Sequence, residues 1–199
     1  GGHEVVAIIR PDSKNRGNLP KSDRLVILEC ALSDLKTLTG EEKCDIFFHL
    51  AWENTTVGGR DDVQVQSKNI EHTLCAANVA HSWGASAFVG AGSQAEYGHV
   101  RCKICGDTPT NPESGYGIAK YAAGRLSGLL CKQMGMRFCW ARILSVYGEG
   151  DNPNSLIMYL IRTIMSGGAP ELTKCDQIWD YIYSYDAAAA LLNIGLRGK

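Results

Sequence analysis

Tyr116 and Lys120 stand four residues apart in the stretch 114–120. On a helix, this spacing puts both side chains on one face, one turn apart. A phenol titrates at about pH 10 in water, and a neighbouring ammonium group favours the phenolate and lowers that value. Tyr116 beside Lys120 would therefore be a usable general acid or base. The same short pattern also occurs on solvated helix faces, so the rest of the chain must decide between the two interpretations.

The composition is that of a globular protein, with 199 residues, 45% hydrophobic and 21% charged. A formal net charge of −1 gives no electrostatic reason to expect a nucleic acid partner. No run is long and apolar enough to cross a bilayer, so we expect no membrane segment. The chain leads from Gly1 into an apolar stretch without a signal peptide. We therefore expect a cytoplasmic protein whose eight cysteines are reduced thiols.

Cys102 and Cys105 form a CxxC pair. A structural zinc site needs a second pair of ligands, and a redox CxxC would open a helix after a strand. This pair lies in a polar stretch rich in Gly, Pro and Thr, near His99. We interpret the stretch as a loop and expect no metal site.

Apolar stretches rich in β-branched and aromatic residues are predicted as buried strands, over 4–9, 25–28, 45–50, 85–91, 138–144 and 179–183. Helices are predicted from Ser33, over 63–81, from Tyr116 onwards, over 156–165 and over 186–194. Alternating strands and helices indicate an α/β fold: a doubly wound parallel sheet, Rossmann-like, with helices on both faces.

Two of these helices carry an apolar stripe that is predicted to be buried. The stripes are Val63, Ile70, Leu74 and Ala77 in the first helix, and Ile118, Ala122, Leu126 and Leu129 in the second.

Polar residues fall at the carboxyl ends of four predicted strands: Arg10, His49, Ser93 and Ser145. In open α/β sheets, ligands bind beyond these ends. The helix with Tyr116 comes soon after Ser93. The sequence therefore predicts a binding site at this edge of the sheet.

Six segments in consistent order resemble motifs of the extended short-chain dehydrogenases/reductases that act on nucleoside-diphosphate sugars. The resemblance covers nearly the whole chain. Segment 45–51 resembles DxxxHLA, 69–73 resembles NxxxT, 88–98 resembles the strand that ends in Ser and YG, 116–120 is YxxxK, 142–148 resembles RxxxxYG, and 180–186 resembles DfiyvdD.

The resemblance implies three catalytic residues. Tyr116 would protonate the substrate's carbonyl oxygen during hydride delivery, or act as the base in the reverse direction. Lys120 would support Tyr116 and bind the nicotinamide ribose. Ser93 would hold the reacting oxygen, although a Ser at a strand end can also simply cap the backbone.

The resemblance also implies binding residues around this trio. Trp52 could equally be a core residue or a stacking surface for the substrate. Where many relatives have an Arg for the sugar-nucleotide phosphates, this chain has Trp179. The implied cofactor-binding residues include Leu50, Ala51, Trp52 and Asn69, together with Tyr116 and Lys120, and the implied substrate-binding residues are Ser93, Gln94, Ser145 and Trp179.

The residue at the end of the first predicted strand bears on cofactor choice. Enzymes that use NAD place Asp or Glu there, to bind the ribose 2′-hydroxyl. Here Arg10 takes that place, with Ser13 and Lys14 close behind. Cations suit a 2′-phosphate, so we predict NADP, with NAD as the alternative that Asp12 favours.

The family's glycine-rich phosphate loop would precede the first strand found here, and the usual substrate lobe would extend beyond Lys199. We therefore expect an internal fragment with an incomplete sheet. Residues 1–148 would form the cofactor-binding domain without its first strand, and 149–199 part of a small substrate-binding lobe. Without the loop, the dinucleotide should bind poorly.

The residues after Ser93 bear on the reaction. Dehydratases of the family have acidic residues where this chain has Gln94 and Ala95, and Gln cannot take a proton. We predict NADPH-linked reduction of a 4-keto-deoxysugar carried on a nucleoside diphosphate. The alternatives are a nucleotide-sugar 4-epimerase with tightly bound NAD, and a non-catalytic cofactor-sensing or binding protein on the same fold. Relatives often form homodimers through a helix pair that would include the Tyr116 helix.

Overall fold

The computed structural model of the chain describes residues 2–38, 42–176 and 179–198. The strands are β1 Val5–Ile9, β2 Leu25–Glu29, β3 Ile46–His49, β4 Ala87–Ser93, β5 Arg137–Ile143, β6 Ser145–Tyr147 and β7 Tyr181–Tyr183. The α-helices are α1 Val63–Ser82, α2 Gly115–Gln133, α3 Leu156–Met165 and α4 Ser184–Arg197. Short 3-10 helices span Arg16–Asn18, Leu32–Thr37, Val57–Gly59 and Gln94–Tyr97.

The described strands pair in parallel throughout, in three groups: β1–β2, β3–β4–β5 and β6–β7. The predicted α/β fold with parallel, Rossmann-like strands is confirmed. The strand β6 was not predicted, because it follows β5 after the single residue Leu144 and no Gly or Pro marks a turn between the two strands. No ladder of hydrogen bonds joins β1 to β3 within the described part of the chain.

An aromatic row crosses the central group of strands. Phe47, Phe88 and Phe138 are in register on β3, β4 and β5, with ring centroids 5.8 and 6.2 Å apart. On this face Phe47 and Phe88 join the core cluster that includes Ala76 and Ala80 of α1. Successive strand residues point to opposite faces, so the neighbouring strand residue Phe48 faces the other side.

Helix α4 covers that other face. Its Gly195 lies so close to Phe48 that an added Cβ would come within 2.6 Å of the ring. Arg137 at the start of β5 donates to the carbonyl of Ile194 at 3.0 Å and also to that of Gly195. Helices therefore lie on both faces of the central strands, as predicted.

The short segment 60–62 forms hydrogen bonds with the first turns of both α1 and α2. The Asp62 carboxylate caps α1 by accepting from the backbone N–H groups of its first turn, at 3.2 Å. The Asp61 carboxylate accepts from the N–H of Gly115 at 2.9 Å, and the Arg60 carbonyl accepts from the N–H of Tyr116 at 2.7 Å. These bonds satisfy the helix N–H groups that have no partner within the helix, and they fix Tyr116 relative to α1.

The predicted apolar stripe of α1 is confirmed in part, because Ala77 is buried and Ile70 and Leu74 are half-buried, whereas the predicted stripe of α2 is largely wrong. Val63 is 65% exposed, and Ile118 and Leu129 are 53% and 61% exposed. The buried faces instead consist of small and polar residues, because α1 and α2 pack against each other and against the polar site. These residues are Gln66, Asn69, Thr73, Ala76, Ala77, Val79 and Ala80 in α1, and Gly117, Ala119, Lys120, Ala123, Gly124, Ser127 and Cys131 in α2.

Cys102 and Cys105 are exposed free thiols in an irregular segment. Among the residues that the structure describes, no group of three or more His, Cys, Asp or Glu is placed to hold a metal ion. None of the described helices combines the length and the apolar character that crossing a membrane requires.

Candidate functional site

Lys120 lies at the centre of the candidate site, in the second turn of α2. The residue is 4% exposed, and its Nζ donates to the Ala91 carbonyl at 2.7 Å. The same atom lies 3.8 Å from the centroid of the Trp52 ring, 5.8 Å from that of Tyr116 and 5.9 Å from that of Trp140. One carbonyl and three aromatic rings thus replace water around the ammonium group.

Burial lowers the pKa of Lys120 to about 8, and the negative charge of Glu96 partly opposes this shift. His49, at the end of β3, is also buried. Burial first, and then the charges of Lys120 and His72, lower its pKa to about 3. His49 is therefore neutral near pH 7, and Lys120 carries the positive charge at the centre of the site.

The neutral His49 ring is held by Thr73 of α1. The Thr73 hydroxyl donates to the Asn69 carbonyl at 2.8 Å, so it accepts from His49 Nε2, 3.2 Å away. This pairing places the imidazole proton on Nε2.

Tyr116 lies in the first turn of α2, on the same side of the helix as Lys120. Its ring meets the Trp52 ring edge-on, with centroids 6.0 Å apart and planes at 85°. The Arg60 guanidinium carbon lies 5.3 Å from the centroid of the Tyr116 ring. Within the described residues the Tyr116 hydroxyl makes no hydrogen bond, which leaves it available to a ligand.

Ser93 ends β4 and begins the 3-10 helix Gln94–Tyr97. Its Oγ accepts from the N–H of Ala95 at 3.2 Å, while its own N–H donates to Glu96 Oε1 at 2.8 Å. Ser93 thus caps the backbone and still keeps its hydroxyl proton and one lone pair for a ligand. Gly117 of α2 packs on Ala95 so closely that an added Cβ would lie 2.4 Å from the carbonyl oxygen. This contact brings the start of α2 close to Ser93.

Glu96 is the main residue of the site that the sequence interpretation missed. Its carboxylate is fully buried and accepts from Ser93 N, from Trp140 Nε1 at 2.9 Å and from Arg142 Nε at 2.8 Å. Arg142 also donates to the Tyr97 hydroxyl at 3.2 Å. Ser93-x-x-Glu96 has the spacing of a capping box, and this sequence signal could have revealed the inward direction of Glu96.

Trp52 is positioned by the polar face of α1. Gln66, 2% exposed, accepts from the Trp52 indole N–H at 3.0 Å and donates to the carbonyls of Asn54 and Gly59 at 3.2 and 2.9 Å. Asn69, 1% exposed, binds both the N–H and the C=O of Glu53, at 2.9 and 3.0 Å. The predicted cofactor contact of Asn69 stays a prediction, since its amide binds the loop that carries Trp52.

The remaining predicted cofactor residues lie on exposed backbone. Leu50 and Ala51 are exposed directly after β3, beside Trp52. Arg10 and Lys14 are exposed after β1, and neither forms an ion pair within the described residues. The half-buried Ser13 donates its N–H to the Arg10 carbonyl at 3.2 Å in a turn. No hydrogen bond joins this turn to Tyr116 or Lys120 in the part of the chain that the structure describes.

Two predicted substrate residues contact each other. The Trp179 indole N–H donates to Ser145 Oγ at 2.6 Å, and Trp179 is 56% exposed. Gln94, the first residue of its 3-10 helix, is half-buried, and its side chain makes no hydrogen bond to a described residue. The structure thus gathers Ser93, Tyr116, Lys120 and Trp52 in one place, with Ser145 and Trp179 as a separate pair.

A family model matches residues 1–197 of the chain, and its description is "NAD dependent epimerase/dehydratase family". No curated protein is significantly similar to the chain in sequence.

The solved structures that resemble the fold include three at low identity. A UDP-N-acetylglucosamine 4-epimerase from Methanobrevibacter ruminantium M1, in complex with UDP-N-acetylmuramic acid, matches with a TM-score of 0.80 and 22% identity over 95% of this chain. The Bordetella bronchiseptica enzyme WbmG, in complex with NAD, gives 0.75 and 21% over 98%. A double mutant of DesIV, a dTDP-glucose 4,6-dehydratase from Streptomyces venezuelae with NAD and DAU bound, gives 0.80 and 19% over 100%.

The chain spans 64%, 61% and 64% of the lengths of these three proteins, in the same order. At identities below a quarter, these likenesses establish the fold.

Proposed function

Since this chain belongs to the NAD-dependent epimerase/dehydratase family, we propose that it is part of an NAD(P)-dependent oxidoreductase that acts on a nucleoside-diphosphate sugar. Residues 1–148 would bind the cofactor, and residues 149–199 would belong to a substrate-binding lobe. The bond between Ser145 and Trp179 connects these two parts. Complexes of fold neighbours with NAD or with a UDP-sugar acid support this proposal.

The observation that carries the proposal is the grouping of Ser93, Tyr116 and Lys120. Lys120 binds the carbonyl of Ala91, two residues before Ser93, and so ties α2 to the end of β4. The Ser93 hydroxyl proton and the Tyr116 hydroxyl remain available on the side where α2 meets the end of this strand. A buried cation beside two available hydroxyl groups is an arrangement suited to proton transfer at a carbonyl or alcohol oxygen.

The residues present fit a nicotinamide cofactor. The exposed backbone of Leu50 and Ala51 and the ring of Trp52 offer a surface at the end of β3. The Lys120 ammonium uses one proton on Ala91, so it retains two donors for ribose hydroxyls. When bound, the cofactor would supply or accept a hydride.

The chain's own residues would transfer the proton and orient the substrate. Ser93 Oγ–H would donate to the reacting oxygen and hold it towards Tyr116. The Tyr116 hydroxyl would give its proton to that oxygen during reduction, or take it during oxidation. The charge of Lys120 would stabilise the phenolate that forms, in a site where aromatic rings exclude water.

Among the reactions of this family, we favour reduction of a 4-keto-deoxysugar with NADPH. Elimination of water needs an acid or base beside the sugar, and Gln94 and Ala95 offer none. Glu96 is fully buried with three partners, so it does not fill that role. The exposed cations Arg10 and Lys14 support NADP over NAD. A 4-epimerase with retained NAD is the second candidate, which the fold likeness to a UDP-N-acetylglucosamine 4-epimerase favours.

A parallel titration with NADPH and NADH, followed by fluorescence, tests cofactor binding by this chain. Hydride transfer from 4-deuterated NADPH to a nucleoside-diphosphate 4-keto sugar then tests the reaction. We expect Tyr116→Phe to slow the transfer about 10²- to 10⁴-fold, the typical contribution of a general acid. Tyr121→Phe, on the same helix, is the matched control and should transfer hydride at the rate of the unmodified chain.

The outcomes separate the candidates. Exchangeable NADPH with deuterium in the product supports the reductase. NAD that stays bound through purification, with interconversion of 4-epimers and no net oxidation, supports the epimerase. Unchanged function in Tyr116→Phe would support a non-catalytic binding protein, because this substitution removes only the hydroxyl.

We also propose that the exposed face of α2 contributes to a homodimer. Ile118, Leu126 and Leu129 are 53%, 44% and 61% exposed there, which is unusual for large apolar residues on one helix. Sedimentation of Leu129→Glu beside the unmodified chain tests the proposal, because a charge at this position would dissociate such a dimer.

A further inference from the structure

The Glu96 carboxylate is fully buried next to Ser93 of the proposed active site. It receives hydrogen bonds from a backbone N–H, an indole N–H and a guanidinium, all at 2.8 to 2.9 Å. Three donors, one of them the Arg142 guanidinium, satisfy this buried carboxylate, although burying it carries a large desolvation cost. Glu96 cannot reach a substrate, yet two of its partners lead to residues that can: one is Ser93 itself, and the other, Trp140, lines the pocket of Lys120.

The first link leads to Ser93. Glu96 binds the Ser93 N–H while Ser93 Oγ binds the N–H of Ala95, so the two residues cap the same 3-10 helix reciprocally. This pair of bonds fixes both the backbone and one lone pair of the Ser93 hydroxyl. Glu96 therefore helps to fix the position from which the Ser93 hydroxyl is presented to a ligand.

The second link leads to Lys120 through Trp140. The Trp140 indole is bound to Glu96 and enclosed by Gly90, Gly92 and Gly124, where an added Cβ would lie 2.3 to 2.7 Å from the ring. Its ring centroid lies 5.9 Å from Lys120 Nζ. Glu96 thus anchors one aromatic wall of the Lys120 pocket.

The third link is electrostatic. The charged or titratable groups around Lys120 are His49 on β3, Tyr116 on α2 itself, and Glu96 with its partner Arg142 on β5. His49 is neutral near pH 7, because burial first, and then the charges of Lys120 and His72, lower its pKa to about 3. The Arg142 side chain is 28% exposed and so is partly screened by solvent, whereas that of Glu96 is 1% exposed. Glu96 is therefore the anion that opposes the deprotonation of the buried ammonium group.

We propose that Glu96 is a positioning residue of this active site, which helps to fix the position of the Ser93 hydroxyl and keeps the Lys120 ammonium charged at neutral pH. This inference rests on the proposed function for its kinetic consequence. Its effect on Lys120 is independent of any substrate.

The first test is the titration of Lys120 by NMR in the full chain carrying labelled lysine, with Lys120→Met to assign the signal. In Glu96→Gln the midpoint should fall below that of the unmodified chain, because the neutral amide no longer offsets the burial of the ammonium. Glu71→Gln, which removes an exposed carboxylate on α1, is the matched control and should leave the midpoint unchanged. A folded Glu96→Gln chain with an unshifted Lys120 overturns the proposal, even if the protein has no activity on sugars.

The second test uses Glu96→Asp, which keeps the charge and withdraws the carboxylate by one methylene group. We expect the Lys120 midpoint to stay near that of the unmodified chain while kcat falls on the order of 10- to 100-fold through misplacement of Ser93. KM should change little. Full activity in Glu96→Asp, or an equal fall of the Lys120 midpoint in Glu96→Asp and Glu96→Gln, contradicts the proposal. This variant also decides the matter if Glu96→Gln does not fold.

Discussion

The ends of β4 and β1 both carry predicted site residues, but they are built in opposite ways. After β4, Ser93 and Glu96 bond to each other, and Glu96 pairs with Arg142 in a buried site. After β1, Arg10 and Lys14 are exposed and unpaired within the described residues, and the nearby Arg16–Glu29 pair is about half exposed on both sides. The residues proposed for catalysis are therefore held by the fold, whereas those proposed for cofactor choice are held mainly by their own backbone turn.

The largest effect expected from this difference concerns the two ion pairs. Glu96→Ala should lower the free energy of unfolding by about 3–5 kcal/mol, because it leaves a buried indole N–H, a backbone N–H and a guanidinium without their acceptor. Glu29→Ala should cost no more than about 1 kcal/mol, as exposed pairs do. Urea denaturation of both variants measures the contrast, and equal losses would show that the two strand ends are stabilised alike.

The next effect concerns the buried ammonium group of Lys120, which binds the end of β4. Unfolded lysine titrates at about 10.5, and burial lowers the pKa of folded Lys120 to about 8. Between these values the unfolded chain binds more protons, so the stability of the unmodified chain should rise with pH in this window. Below pH 8, the folded state bears the full cost of a buried charge.

Lys120→Met should therefore be more stable than the unmodified chain at pH 7, by up to about 3 kcal/mol, while it loses activity. The difference should shrink as the pH rises to about 10.5. Denaturation curves of both proteins across this range test the expectation. If the free energies of unfolding of the two proteins changed with pH in the same way, Lys120 would titrate normally and its pocket would be more hydrated than the structure indicates.

A smaller effect concerns the fit of Trp140 against α2. Alanine favours a helix over glycine by about 1 kcal/mol, but a Cβ on Gly124 would lie 2.7 Å from an indole that Glu96 holds in place. We expect Gly124→Ala to destabilise the protein by about 1–3 kcal/mol in thermal or urea unfolding. Gly128→Ala, whose Cβ would lie 3.1 Å from the Phe138 ring, is the control and should cost less. A larger loss of stability in Gly128→Ala than in Gly124→Ala would indicate that the Trp140 ring is not tightly packed.

The smallest effect on stability is expected on the β1 side. Arg10→Ala with Lys14→Ala should lower the preference for NADPH over NADH about tenfold, because charge-assisted bonds to the 2′-phosphate are lost. The free energy of unfolding should change by less than about 0.5 kcal/mol. Lys21→Ala, exposed further along the same connection, is the control in parallel binding titrations. An unchanged preference would remove the argument for NADP.

Most of the fold could be predicted because its signals are local. Apolar strands rich in β-branched residues and the alternation with helices gave the element order, and α3 was predicted with its observed bounds. The buried face of α2 and the polar part of the buried face of α1 could not be predicted in this way. Apolar periodicity predicts burial only against a hydrophobic core. Gln66, Asn69 and Lys120 are buried because each has a polar partner in a distant segment.

The candidate site was likewise predictable only where its signals are local in the sequence. The spacing of Tyr116 and Lys120 and the place of Ser93 at a strand end are sequence features. By contrast, two of the three partners of Glu96, Trp140 and Arg142, lie more than forty residues further along the chain, on β5. Their contact depends on the register of β4 with β5, which pairs Gly90 with Trp140 and Gly92 with Arg142. A small residue on one strand facing a large one on the next is visible only once the strands are aligned.

The aromatic row across β3, β4 and β5 has a consequence for the order of folding. Its rings belong to segments about forty to fifty residues apart, and each helix between them can form from local contacts first. Aligning such distant strands is slow, because loop-closure entropy is lost before the row is complete. The pocket of Lys120 uses residues that this alignment brings together. We therefore expect near-ultraviolet circular dichroism from the stacked rings and cofactor binding to appear in the same late kinetic phase, after the helical signal.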